Sequence, residues 1–158
     1  MVDAARSGTG PLRLVCFELR GQELALPIGD VRETLPVQPI THVFLTAPIV
    51  AGVFSLRGEI VPALDIGVLF GMPRTEVGDD SRIVVIERAE GTAGLVVDRL
   101  RDLRTLDAAL EPPPASLPSS MSTLLLGVAA TATGTVRVLD AGAILGAVRE
   151  DSQEGRPS

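Results

Sequence analysis

An internal repeat constrains this chain more than any other feature. Residues Val50 to Gly71 read VAGVFSLRGEIVPALDIGVLFG, and Gly127 to Gly146 read GVAATATGTVRVLDAGAILG. Gly52 and Gly127, Asp65 and Asp140, and Gly71 and Gly146 are each 75 residues apart. The turn alone slips by one position, Gly58 matching Gly134. A weaker echo precedes each copy: Leu24 to Leu35 resembles Ala93 to Arg104, with Val31 and Glu33 matching Leu100 and Asp102 at an offset of 69. Repetition on this scale predicts two similar units that bury their apolar faces together.

Within the first copy, the apolar run Val53 to Leu56 is interrupted by Arg57-Gly58, where glycine supplies the positive φ of a tight reversal. Ile60 to Leu64 resumes the apolar pattern. Pro62 lacks an N–H, so this strand is expected at a sheet edge or with a bulge. Asp65 is placed to cap one or two helical turns over Ile66 to Phe70, and Gly71 to stop them.

Other strands are predicted at Leu12 to Leu19, Leu24 to Ile28, Val31 to Leu35, Arg82 to Glu87, Gly94 to Val97, Asp98 to Leu106, Leu124 to Ala130 and Thr135 to Leu139. Hairpin turns fall at Arg20 to Glu23 and Ala89 to Thr92. A short final helix is expected over Ile144 to Val148. Asp107 to Thr123, rich in Pro and Ser, reads as a loop without helix. Residues 1–11 and 150–158 read as flexible tails around one 12–149 domain, with a first barrel over about 12–80 and a second over about 81–149. Short strands with frequent turns and no long helical periodicity make the fold all-β, of barrel type.

Composition narrows the function. A formal net charge of −6, with 3% aromatic residues, gives neither the basic stripe nor the stacking surface that nucleic acid requires. All 14 basic residues are Arg. An anionic membrane surface is disfavoured for the same reason. The uncharged runs are broken by prolines and form no spanning segment, and residues 1–13 carry no signal-peptide apolar run, so a soluble cytoplasmic chain is expected. A single Cys and a single His exclude an intrachain disulfide and a usual Cys/His zinc site.

No nucleophile-elbow, Walker A or H-E-x-x-H motif occurs. Cys16 reads as a buried structural thiol and His42 as a solvated or packed side chain. Asp79-Asp80 reads as a solvated loop pair. Two residues stand apart. Arg57 sits in an apolar hairpin turn, and Glu33 on a short strand of the same half. Their residue types allow either a bidentate pair that fixes the turn or an exposed Arg that contributes little.

These motifs resemble the CheW family of chemotaxis-type adaptors. They run in the family's order: A-L-P-I at Ala25 to Ile28, V-x-E at Val31 to Glu33, then A-P through L-R-G-E-I-V-P-x-L-D from Ala47 to Asp65. G-L-V-V-D-R-L at Gly94 to Leu100, P-P-P at Pro112 to Pro114, and G-V-A…V-L-D from Gly127 to Asp140 complete the set. The chain has Ser55 where the family usually has Asn. The resemblance implies two five-stranded SH3-like β-barrel subdomains sharing a hydrophobic core, with short helices. It implies no enzymatic activity and no cofactor or metal. Expected partners are the regulatory domain of a CheA-type histidine kinase, the cytoplasmic tip of chemoreceptors, and other CheW-like domains. The setting would be cytoplasmic, at receptor arrays controlling chemotaxis or motility. It also implies that Val31, Glu33, Gly52, Arg57, Gly94, Leu100 and Gly127 contact or support partners, with Glu33 and Arg57 salt-bridged. The competing readings are a divergent CheW-like protein of a pilus or other chemosensory pathway, and a small β-barrel ligand-binding protein.

Overall fold

Ten strands carry the fold. In the computed structural model, which describes residues 11–43, 49–107, 109–131 and 134–154, they are β1 (Leu12–Leu19), β2 (Gln22–Pro27), β3 (Val31–Pro36), β4 (Val50–Leu56), β5 (Glu59–Leu64), β6 (Arg82–Arg88), β7 (Gly91–Val97), β8 (Arg99–Leu106), β9 (Leu125–Thr131) and β10 (Gly134–Leu139). Two helices follow in chain order: α1 (Ser119–Ser122) and α2 (Ala141–Glu154). Ala47, Pro48, Thr133 and the residues 1–10 and 155–158 lie outside the described residues, as does the stretch before Ala47 from residue 44.

The strands form two five-stranded sheets, ordered β8-β1-β2-β10-β9 and β3-β6-β7-β5-β4. Each is one SH3-like barrel, here barrel I and barrel II. The division expected at residue 80 is therefore corrected. Barrel I takes β1 and β2 from the first half and β8 to β10 from the second, while barrel II takes β3 to β5 and β6 to β7. Each repeat contributes its first hairpin to one barrel and its last three strands to the other. The chain crosses between barrels at the 3-10 turn Ile28–Asp30 and at Asp98, one residue long between β7 and β8.

The exchange obeys the repeat. Parallel pairing of Ala63 with Gly94 in barrel II corresponds to that of Val138 with Ala25 in barrel I. Closure does too. After β3, Thr41 exchanges two backbone hydrogen bonds with Val53 (2.8 and 2.9 Å), and after β8, Glu111 does the same with Val128 (2.9 and 2.8 Å). A Cβ on Gly52 would stand 2.3 Å from the Thr41 carbonyl oxygen, and one on Gly127 2.6 Å from that of Glu111. Only glycine lets these segments close the barrels.

Alternation along the central strands sends side chains to two cores. Ile83 and Val85 fill barrel II, while Val84 and Ile86 face a shared seam with Phe17, Leu24 and Leu26 of barrel I. Burial on both faces explains why RIVVIE reads as a continuous apolar run. The seam also takes Ile66 at the entrance of the 3-10 turn Ile66–Phe70, and Ile144 and Leu145 of α2. It joins the two barrels into one hydrophobic unit.

Several local expectations change. Both first hairpins are tighter than predicted, turning at Arg20-Gly21 and at Ala89-Glu90, because β2 already starts at Gln22 and β7 at Gly91. Pro62 lies in an interior strand. Its partner Val53 turns its hydrogen bonds outward to Thr41, and pairing of β5 with β7 starts only at Ala63, so no ladder bond needs a Pro62 N–H. The bulge of this pair lies on β4, between Val50 and Gly52. Asp65 precedes the 3-10 turn without capping it; its carboxylate instead accepts the Thr75 N–H (2.7 Å) and hydroxyl (2.9 Å). Asp140 is a true cap, accepting from the Ala143 N–H at 3.1 Å. The final helix runs from Ala141 to Glu154, well past the expected Val148 and into the expected tail. Its sequence offers no Pro or interrupting turn before Gly155. Within the Pro/Ser stretch, Pro118 opens one helical turn, α1, where only loop was expected; proline fixes φ there without a needed donor.

Candidate functional site

Arg57 and Gly58 form the two-residue turn of the β4–β5 hairpin, with φ of 49° and 85°. Both values positive is the type I′ geometry that matches strand twist. Arg57 is one of two described non-glycine residues held there, the other being Arg20 in the equivalent-looking β1–β2 turn. The conformation throws the Arg57 guanidinium across the gap between the hairpin and edge strand β3. There it donates to both Glu33 carboxylate oxygens, Nη2 to Oε1 at 2.8 Å and Nη1 to Oε2. Of the two alternatives open from sequence, the bidentate pair is the one formed.

A bulge on β3 aims Glu33. Register against β6 shifts between Val31 and Glu33, making Arg32 the extra residue. Arg32 then reaches Glu59 (3.4 Å), Glu87 (3.6 Å) and Glu33 (3.7 Å). Five charged side chains thus form one network over the mouth of barrel II. The hydrogen bonds from Arg57 hold the Glu33 carboxyl below the usual carboxylate value, with Arg32 acting in the same direction. Glu33 in turn raises the Arg57 guanidinium. Next to the network Ile60 is 70% exposed, opposite exposed Ser55 on β4. An exposed apolar side chain rimmed by fixed charges is the composition of a protein-contact surface. Arg32, Glu59, Ile60 and Glu87 were not singled out from sequence. The signal available was the alternation of β3 and β5, which places Arg32 and Ile60 outside the core.

The remaining sequence candidates separate by position. Val31 and Leu100, equivalent in the repeat, are half-buried and pack against the shared seam, one from each barrel. Gly52, Gly94 and Gly127 are buried. The two closing glycines permit the backbone approaches described above, and a Cβ on Gly94 would lie 2.6 Å from Ile83 and 2.8 Å from the Phe54 ring. The structure therefore brings Glu33 and Arg57 together and distributes the other five through the scaffold around them.

Elsewhere, His42 is exposed in the stretch after β3. Cys16 is buried inside barrel I, and burial pushes its thiol up to about 11. Its Sγ and carboxylate oxygens of Glu23 and Asp102 lie within 4.8 Å of one another, the one such convergence of potential metal ligands among the described residues. Arg104 lies against both carboxylates, 3.0 Å from Glu23 and 3.4 Å from Asp102, and a protonated thiol is a poor ligand at neutral pH. A partly buried ion pair, Arg88 Nη1 to Asp30 Oδ1 at 2.6 Å, ties the end of β6 to the crossover turn and raises the Arg88 guanidinium. No described helix is long and apolar enough to cross a membrane.

The interlaced barrels and the Glu33–Arg57 clasp coincide with a match to the CheW-like domain over residues 13–149. The chain belongs to the CheW family. The chemotaxis protein CheW of Bacillus subtilis is 25% identical over 146 residues, covering 92% of each chain. CheW of Rhizobium meliloti is 32% identical over 116 residues, 72% of this chain and 75% of its own. Among solved structures, the scaffolding protein TtCheW of Thermoanaerobacter tengcongensis superposes with a TM-score of 0.75 at 29% identity, over 85% of this chain and 87% of that one.

Proposed function

We propose that this chain is a non-catalytic adaptor that couples the cytoplasmic tips of chemoreceptors to the regulatory domain of a CheA-type histidine kinase, within a cytoplasmic array controlling chemotaxis or motility. The observation that carries this reading is the clasped hairpin of barrel II. A bidentate Arg57–Glu33 pair, inside a five-member charge network, fixes the face on which Ile60 stands exposed. Such a face is rigid before binding, so little ordering entropy is lost when a partner docks. Val31, Glu33, Arg57 and Ile60 would touch partners, while Leu100 and the three glycines would hold the scaffold. Each contact in an array can be modest because repeated contacts reinforce one another.

The test is a reconstitution of kinase, receptor cytoplasmic fragment and this chain, with kinase autophosphorylation as readout. The chain is expected to make kinase activity receptor-dependent, and Arg57→Ala to weaken that dependence while the variant stays folded. Kinase activity indifferent to the chain's presence would refute the reading.

A further inference from the structure

The two barrels share a plan but are not equally filled. Repeat equivalence and matching strand registers relate each interior position of barrel II to one of barrel I: Leu35 and Ile83 pair as Arg104 and Leu14 do, and Phe54 and Val61 as Ala129 and Val136 do. Where barrel II places the Phe54 ring, barrel I has only the methyl group of Ala129. Leu56 becomes Thr131 and Val85 becomes Cys16. Ala63 to Val138, Gly94 to Ala25, Val37 to Leu106 and Leu35 to Arg104 run the other way and restore only part of the volume lost with the Phe54 ring and the Leu56 side chain. The result is a cavity of about 300 Å³ in barrel I whose wall includes Leu14, Cys16, Leu106, Ala129 and Val136. Exposed Thr105 and Ala130 also line it, so it opens to solvent between strands β8 and β9.

We propose that this cavity is a binding site for a small, uncharged, single-ring aromatic molecule, seated in barrel I where the Phe54 ring sits in barrel II. Enclosed apolar cavities of about 150 Å³ take up benzene, and this one, although open on one side, has room for a ring of that size. The buried sulfur of Cys16 offers the soft contact that aromatic rings favour. Arg104, the charged residue on the wall, is engaged by Glu23 at 3.0 Å and Asp102 at 3.4 Å, so it is not free to select a carboxylate. The inference stands on the repeat and the cavity and is independent of the adaptor reading.

Benzene is the probe. In titrations followed by amide NMR, saturable shifts are expected at Leu14, Cys16, Ala129 and Val136, with none at Phe54 or Ile83. At ten times its dissociation constant benzene should raise the folded-to-unfolded ratio about 11-fold. Ala129→Phe, which copies the filling of barrel II, should abolish both effects, and Ala129→Leu serves if the larger side chain prevents folding. Benzoate should bind more weakly than benzene. Absence of saturable shifts up to the solubility limit of benzene, their persistence in the filled variant, or tighter binding of benzoate would each overturn the proposal.

Discussion

Adding one methyl group at Gly94 should destabilise barrel II, and removing the Phe54 ring should relieve part of that effect. A Cβ on residue 94 would stand 2.6 Å from Ile83 Cγ2 and 2.8 Å from two carbons of the Phe54 ring. Favourable carbon contacts lie at about 3.5–4.0 Å. The overlap is near 1 Å on two sides of a packed interior, and overpacking of this kind costs about 1–3 kcal/mol. In a chain of this size each kcal/mol lowers Tm by about 2–4 °C. Phe54→Ala alone leaves a void and costs about 3–5 kcal/mol. Combined, the two changes recreate the Ala25–Ala129 pair of barrel I, and the new methyl occupies space the ring has left. The double variant should therefore be more stable than the sum of the singles implies, by about 1 kcal/mol or more. Adding Ile83→Leu should recover more, because leucine, as at the equivalent Leu14, has no branch at Cβ to strike the methyl. Urea unfolding of the four proteins of the cycle measures the coupling. Strict additivity, within about 0.5 kcal/mol, would refute the equivalence of the two interiors.

Three further outcomes follow from the structure. Glu33 is held below the ordinary carboxylate value, so whatever stability its ion pair provides is present above roughly pH 4.3 and lost as pH falls through the folded value; side-chain NMR should show its titration moving upward in Arg57→Ala, and an unchanged midpoint would contradict the pairing. Residues 1–80 and 81–158 should each fail to fold alone and regain strand signal by circular dichroism when mixed, since each lacks the hairpin or the three strands its barrels require; a fragment that folds by itself would argue against the exchange. Thr75→Val removes the hydroxyl hydrogen bond to Asp65, which is 3% exposed, while leaving the backbone N–H bond, and should cost about 1–3 kcal/mol while accelerating proteolysis within residues 72–78.

Much of this was legible in the chain because the repeat is marked by residues with backbone roles. Gly52 and Gly127 sit where two segments close a barrel, and Asp65 and Asp140 each donate an N–H to the segment before the last hairpin, at 2.7 and 2.8 Å. Those constraints survive in sequence, so strands, turns and equivalence could be read. Which copy each hairpin joins could not. Similarity at an offset of 69 or 75 identifies corresponding strands, but the choice of partner is made in space, by the crossovers at Ile28–Asp30 and Asp98. The capping role of Asp65 was misread for a related reason. Its chain neighbours match those of Asp140, yet Thr75, ten residues on, competes for its carboxylate. At the site, Arg57 and Glu33 drew attention as charges in apolar settings, whereas Arg32, Glu59 and Glu87 look like ordinary surface charges until the β3 bulge and the hairpin turn bring them together.

We propose that the clasped face of barrel II is the one that engages the CheA-type kinase. Isothermal titration of this chain with the regulatory domain of such a kinase from the same organism tests it most directly. Micromolar or tighter binding is predicted, weakened by Arg57→Ala with Tm nearly unchanged. Absence of binding, or an Arg57→Ala variant that binds as well as the parent, would contradict it.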